Sequence, residues 1–224
     1  MKYANIREIF LSIQGEGPYV GQQQLFVRFC GCNLNCQFCD TDFETSKSKQ
    51  YTPENLLQEL NNYGKNLIIS LTGGEPLVSV EFLKEFLPLA KNQGHKIYLE
   101  TNGTLPKQLK EIIEYTDIIS ADIKLYSATG ERIENGIIDS FFTVAALKEV
   151  FAKVVFDENI TEEEINKIIN IGKTHNLLII LQPKMVGEKF GVPVDFCEKI
   201  LNRLLKEYSE VRLIPQVHKF LKIR

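Results

Sequence analysis

The stretch QLFVRFCGCNLNCQFCDTDF, Gln24 to Phe43, passes from an apolar run straight into three cysteines, Cys32, Cys36 and Cys39, spaced Cys-x3-Cys-x2-Cys. The run reads as a buried strand and the cysteines as the loop that leaves it, the end at which α/β proteins place their chemistry. Arg28 interrupts the run and needs a partner, for which a carboxylate is the usual choice. Three thiolates in so short a span can close around one metal centre, and the odd count leaves a coordination position that no nearby cysteine fills. Structural zinc takes four protein ligands, whereas three ligands on a four-iron cluster leave one iron open to a small molecule. His95, His175 and His218 are far away in sequence and no His or Cys pair accompanies the triplet, so a zinc knuckle and unrelated buried thiols are the poorer readings. Cys30, at the end of the apolar run, and Cys197, in a helical pattern, read as small buried hydrophobes.

Outward from this stretch, strands and helices alternate. Before it come a short strand, IREIFLSI, and the turn-rich QGEGPYVG, in which glycines permit close approach to a ligand. After a polar, Lys- and Ser-rich segment to Gln50, Thr52 caps a helix with Pro53 and Glu54 in its first turn. Then follow strand NLIISLTGG, a helix near 79–93, strand KIYLET, a helix near 106–115, strand DIISADIK and a helix near 140–149. Strand AKVVF, a helix near 161–174 opened by Thr161, strand LLIILQP, a helix near 194–208 and strand VRLIP complete the chain, with 125–139 its least regular part. Strands that are apolar on both faces and separated by helices predict a parallel sheet with right-handed crossovers. About six βα units fit, too few for the eight of a closed barrel. The expected fold is therefore α/β, an open, partial (β/α)6 TIM-like barrel forming a single domain over residues 1–224.

Composition excludes several classes. Hydrophobic residues at 44%, charged residues at 25% and a net charge of -3 are ordinary for a soluble enzyme and give no pull toward nucleic acid or anionic membrane. No apolar run approaches the roughly 18 residues of a spanning helix, and MKYANIREIF lacks a secretory apolar core. Clustered cysteines suit a reducing compartment, so the expected location is the cytoplasm.

Residues at the strand ends can be read together, because in such a fold they line one mouth. In Thr72-Gly73-Gly74-Glu75-Pro76 two glycines expose backbone groups and Glu75 offers a carboxylate for an ammonium. Glu100, Thr101 and Asn102 end the next strand, Ser120, Asp122 and Lys124 the one after, and Gln182 another, all side chains able to meet a ligand's hydroxyls and carboxylate. Gln14 and Glu16 can present an amide and a carboxylate, and Asp40, Thr41 and Asp42 put hard oxygens beside the soft sulfurs, as a magnesium ion requires. The tail QVHKFLKIR carries His218 and enough apolar residues to dock.

The cysteine spacing, with Phe38 just before the third cysteine, and the GGEP motif resemble the radical S-adenosylmethionine (SAM) superfamily. Together with SIQGEGPYVG, the Cys-Asp-Thr at the third cysteine, ETNGT, LQP and the His-Lys tail, the pattern from residue 9 onward resembles the 7-carboxy-7-deazaguanine synthase family. The resemblance implies conversion of 6-carboxy-5,6,7,8-tetrahydropterin to 7-carboxy-7-deazaguanine with loss of ammonia, through a 5'-deoxyadenosyl radical made from SAM. It implies a 4Fe-4S cluster on Cys32, Cys36 and Cys39, magnesium at Thr41, and SAM contacts at Phe38, Gly74, Glu75, Asn102, Asp122, Ile123, Lys124 and Gln182. Substrate contacts fall on Ile13, Gln14, Gly15, Glu16, Arg28, Thr72, His218 and the Arg224 carboxylate. SADIK stands where some members carry Ser-Pro-Lys, and no acidic residue follows Gln182-Pro183. A reducing donor such as flavodoxin or ferredoxin, a homodimer, and no nucleic-acid or membrane partner complete what the resemblance implies.

Two other readings share the cysteines. An activating enzyme of the same superfamily, which places a radical on a partner's glycine, predicts no magnesium and no small-substrate pocket, and a cluster-binding sensor leaves TGGEP and the polar strand ends unexplained.

Overall fold

The computed structural model describes residues 2–37, 39, 47–134 and 136–223. Strand β1 (Ala4–Ile13) and β2 (Gln23–Phe29) form a hairpin, and β3 (Lys49–Tyr51) leads into α1 (Pro53–Leu60). There follow β4 (Ile68–Gly73), α2 (Val80–Asn92), β5 (Lys96–Thr101), α3 (Pro106–Ile112), β6 (Ile118–Asp122), α4 (Tyr126–Thr129) and α5 (Ile137–Ala145). The remainder is β7 (Glu149–Phe156), α6 (Glu162–His175), β8 (Leu178–Pro183), the small hairpin β9 (Met185–Val186) and β10 (Lys189–Phe190), α7 (Val194–Leu205), β11 (Val211–Leu213) and α8 (Val217–Leu221).

One nine-stranded sheet, ordered β11-β8-β7-β6-β5-β4-β2-β1-β3, carries the fold. From β2 through β11 each neighbouring pair is parallel, as the helix-strand alternation predicted. At the other edge the prediction of a wholly parallel sheet fails. β1 pairs antiparallel with β2, because the loop between them is shorter than the dozen or so residues a parallel crossover takes. β3, in the segment read as a polar loop, also runs antiparallel to β1, pairing Ala4 with Tyr51. The helix expected near 140–149 begins instead at Ile137, where Gly136 adopts φ 82°, and ends at Ala145, so β7 starts earlier than AKVVF suggested.

Local signals set the helix starts. The Thr52 hydroxyl accepts from Asn55 N at 3.2 Å, and Thr161 and Glu164 form a reciprocal capping box on α6. Strand alternation then divides the sheet into two faces. Ile97, Leu99, Ile119, Ala121, Ala152, Val154, Ile179 and Leu181 face the helices and share one large core with Phe82, Phe86, Phe141 and Phe142. Each fully buried aromatic or aliphatic side chain there contributes about 1.5–3 kcal/mol. On the inner face the first layer is a small apolar plug of Tyr98, Ile118, Phe151 and Ile180, with Tyr19 packed against it. Above the plug the inner face turns polar, with Ser70, Ser120, Lys153 and Gln182 all buried. Among the described residues no helix is long and apolar enough to cross a membrane.

Candidate active site

A cavity of about 730 Å³ occupies the inner side of the sheet toward the strands' C-terminal ends, with walls running from Glu8 on β1 to Gln182 on β8 and His218 on α8. Cys32, Cys36 and Cys39 all line it. Burial is the largest influence on the Cys36 thiol and pushes it up, the neighbouring Cys32 and Cys39 add to that, and Lys124 opposes them. Among the described residues no group of three or more His, Cys, Asp or Glu could hold a single metal ion. A cluster asks something different of its ligands. Each cysteine would take a different iron, so three thiolates lining one cavity, as these do, need not converge on a point.

The GGEP turn exists to let the cysteine loop approach. A Cβ at Gly74 would fall 1.8 Å from Gly31 O, and Gly73, at φ +111, is equally crowded by the Phe29 backbone. With no side chains in the way, Gly74 N donates to Phe29 O at 3.0 Å and Glu75 N to Gly31 O at 2.8 Å, strapping the loop to the end of β4. Glu75 itself corrects an expectation. Its side chain does not hold an ammonium at the mouth; it is wholly buried behind the wall, accepting from Asn102 N at 2.7 Å, Leu77 N at 3.0 Å and the Thr101 hydroxyl. Burial pushes its carboxyl up to about 7 against the pull of those donors. Ile123 is a second correction, since its side chain lies in the core and its N–H donates to Lys153 O at 2.8 Å.

Asn102 does reach the cysteines. Thr104 N and Oγ1 donate to its Oδ1 at 3.0 and 2.6 Å, which turns Nδ2 toward Asn33 Oδ1 at 2.8 Å and Cys32 Sγ at 3.8 Å. Gly74, Asp122, Lys124 and Gln182 share that region of the wall. Lys124 Nζ donates to Asp122 Oδ2 at 2.6 Å, while Asp122 Oδ1 and Gln182 Oε1 are buried with no hydrogen-bond partner among the described residues. A buried acceptor without a hydrogen bond is costly, a cost that the Lys153 ammonium, 3.6 Å from Asp122 Oδ1, offsets at Asp122. The Asp122–Lys124 pair and the Gln182 side chain line the same cavity as the cysteines, a polar wall suited to a nucleoside's hydroxyl and amino groups.

The floor comes from the QGEG loop and the tail. Gln14 is buried and already committed, donating to Gln24 Oε1 at 3.1 Å and Glu100 Oε1 at 3.0 Å. Thr72 Oγ1 donates to the other Glu100 oxygen at 2.7 Å. Gly15 lies under His218, whose ring would stand 2.4 Å from a Cβ there, and Gly17, at φ +66, lies on Phe151. Val217 N donates to Gly15 O at 2.8 Å and Gln216 Nε2 to Glu16 Oε1 at 2.7 Å, so loop and tail together bridge the side on which the sheet is open. Burial alone would raise the Glu16 carboxyl, but Lys153, the Gln216 amide and His218 bring it down to about 2. Arg28 found the partner its position demanded. Glu8, opposite it on β1, accepts from its Nε at 2.8 Å, and the guanidinium lies 5.7 Å from the centre of Phe10, which stacks on Phe26. Ile13 completes this part of the wall.

Phe38, Thr41 and Arg224 fall outside the described residues. Lys153 was missed by sequence reading, although the rule that singled out Arg28, a charge inside an apolar run, applies equally to FAKVVF. Its ammonium donates to Glu16 Oε2 and stands 3.6 Å from Asp122 Oδ1.

The Radical SAM superfamily model matches residues 26–156, the span from β2 through β7. A 7-carboxy-7-deazaguanine synthase of Geobacter sulfurreducens is 34% identical, with 97% of each chain covered, and one of Archaeoglobus fulgidus is 32% identical with 99% of each covered. Among solved structures, QueE from Escherichia coli superimposes with a TM-score of 0.67 at 21% identity, covering 96% of this chain and 95% of that one, a likeness of fold.

Proposed function

We propose, from the premise that this chain belongs to the radical SAM superfamily and within it to the 7-carboxy-7-deazaguanine synthases, that the cavity converts a carboxylated tetrahydropterin to a deazapurine. The chain is a radical SAM enzyme of 7-deazapurine biosynthesis, a lyase taking 6-carboxy-5,6,7,8-tetrahydropterin to 7-carboxy-7-deazaguanine with release of ammonia. An activating enzyme acting on a partner's glycine is not favoured. When bound, a 4Fe-4S cluster supplies the electron that cleaves SAM and so provides the hydrogen-abstracting radical.

The chain's own residues bind, orient and shield. Cys32, Cys36 and Cys39 hold the cluster, and Asn102 and Leu34 donate N–H to Cys32 Sγ. Gln182, Asp122, Lys124 and Gly74 line the wall on which we place SAM. On the other side, Arg28 offers a cation for the substrate carboxylate, Glu16 an acceptor for the pterin's N–H edge, and Thr72, Gly15, Ile13 and His218 the surrounding surface. Thr41 is our position for magnesium, whose charge would orient the substrate carboxylate. A reducing partner of flavodoxin or ferredoxin type, a homodimeric assembly, a cytoplasmic location and a single radical SAM domain over residues 1–224 complete the reading.

The observation that supports this most is the convergence on one cavity of three cysteines from the loop after β2 with the QGEG loop and His218. Anaerobically reconstituted protein given SAM, the carboxypterin, magnesium and dithionite is expected to form the deazapurine carboxylate, with less product when magnesium is omitted. SAM cleavage that proceeds without consuming the pterin would overturn the substrate; intact SAM would overturn the enzyme class.

A further inference from the structure

We propose that Lys153, on the inner face of β7, is a positioning residue that holds the Glu16 carboxylate ionised and aimed across the cavity floor, where it accepts hydrogen bonds from the N–H edge of a heteroaromatic substrate. The inference rests on the pterin reading above, which already gives Glu16 that contact; what it adds is the part played by Lys153.

A lysine this deep needs an explanation. Its side chain is 11% exposed and that of Glu16 15%, and burying either charge alone would be costly. The two sites are far apart in sequence, 137 positions, yet the ammonium meets Glu16 Oε2 directly, while Gln216 Nε2 donates to Oε1. Each carboxylate oxygen can accept twice, so after these contacts Glu16 keeps acceptor capacity toward the cavity that both residues line. Sterically the loop has little freedom to aim otherwise: Gly15 is pinned under His218 and Gly17 against Phe151.

The charges facing the pair make Lys153 necessary for that state. Glu100 of β5 and Asp122 of β6 stand on the same inner face, with Tyr98 below and Lys124, just past the end of β6, and His218 of α8 on the cationic side. Without the Lys153 charge, Glu16 would remain buried on a face that carries two other carboxylates, with Lys124 committed to Asp122 and Lys184 to Asp157. Burial and like-charge repulsion both then favour protonation. A protonated Glu16 gives up the charge and part of the acceptor capacity that the pterin edge needs, and recognition weakens. A merely structural Lys153, one that only ties the loop to β7, predicts a stability loss with no new pH dependence of binding.

Anaerobic calorimetric titration of the carboxypterin into unreduced, cluster- and SAM-loaded protein reads this without turnover, between about pH 6 and about pH 9. The wild-type affinity should be flat over that range. Lys153→Met should bind about 10- to 100-fold more weakly at neutral pH and recover as pH rises and Glu16 ionises, with cluster absorbance and SAM affinity unchanged. Lys153→Arg should stay close to wild type, Glu16→Gln should be weak at every pH, and adding Lys153→Met to Glu16→Gln should cost little more. A Lys153→Met protein that binds as wild type, or is weakened equally at all pH, overturns the proposal while leaving the substrate standing. So does a Lys153→Arg protein that folds and loads its cluster but binds as weakly as Glu16→Gln, which keeps the test decisive should Lys153→Met fail to fold. A wild type that does not bind the pterin at all removes the substrate reading and this inference with it.

Discussion

The helix-facing side of the sheet and its inner side are built from alternate residues of the same strands. In β6, Ile119 and Ala121 enter the main core while Ser120 and Asp122 face inward; in β7, Ala152 and Val154 do the first and Lys153 the second. Both sides are buried. One satisfies burial by removing apolar surface from water, the other by pairing its charges, as Lys153 does with Glu16 and Lys124 with Asp122. The helix-facing side asks only for apolar volume, whereas the inner side asks for particular charges and hydrogen-bonding groups, so aliphatic exchanges are expected to be borne better on the first.

Substitutions on the two faces should separate binding from stability. The largest break is expected from Cys36→Ala, which should abolish cluster absorbance and SAM cleavage, whereas Cys197→Ala, in the helix-side core, should leave both and cost about 1 kcal/mol. Phe86→Ala, also in that core, should cost about 3–5 kcal/mol in denaturant unfolding with SAM affinity nearly unchanged in the folded fraction. Its inner-face counterpart, Gln182→Ala, should do the reverse, weakening SAM binding about tenfold by calorimetry with little change in Tm. The smallest effect concerns acid stability. Glu16 is depressed from 4.5 to about 2, so its contribution is present above pH 4.5 and lost as pH falls through about 2. The stability gap between wild-type and Glu16→Gln cluster-free protein should therefore be widest above pH 4.5 and close toward pH 2. A gap that stays constant would mean that Glu16 is not the group titrating.

Much of this was legible because it is local. The Cys-x3-Cys-x2-Cys spacing, the Thr52 and Thr161 caps and the polar residue ending each apolar run are all encoded within a few neighbours, and the structure places the run-ending residues together because parallel strands end on one side. What was hidden depends on partners distant in sequence. Nothing near Glu75 announces that Thr101 and Asn102 will close over it, and nothing in QGEG names Lys153 as its counter-ion. β3 was concealed for a different reason: three residues, KQY, are too few to show a period, and they become a strand only because β1 offers an edge. The antiparallel direction of β1 was in principle readable from loop length, a constraint as firm as any motif.

The bridge between the QGEG loop and the tail joins Glu16 to Gln216, 200 positions apart. Loop-closure entropy makes such a contact the slowest kind to form, whereas the βα units between those residues assemble from near neighbours. On that ground the loop–tail seam is expected to close after the βα units between its ends, an order that pulse-labelled hydrogen exchange during refolding would read.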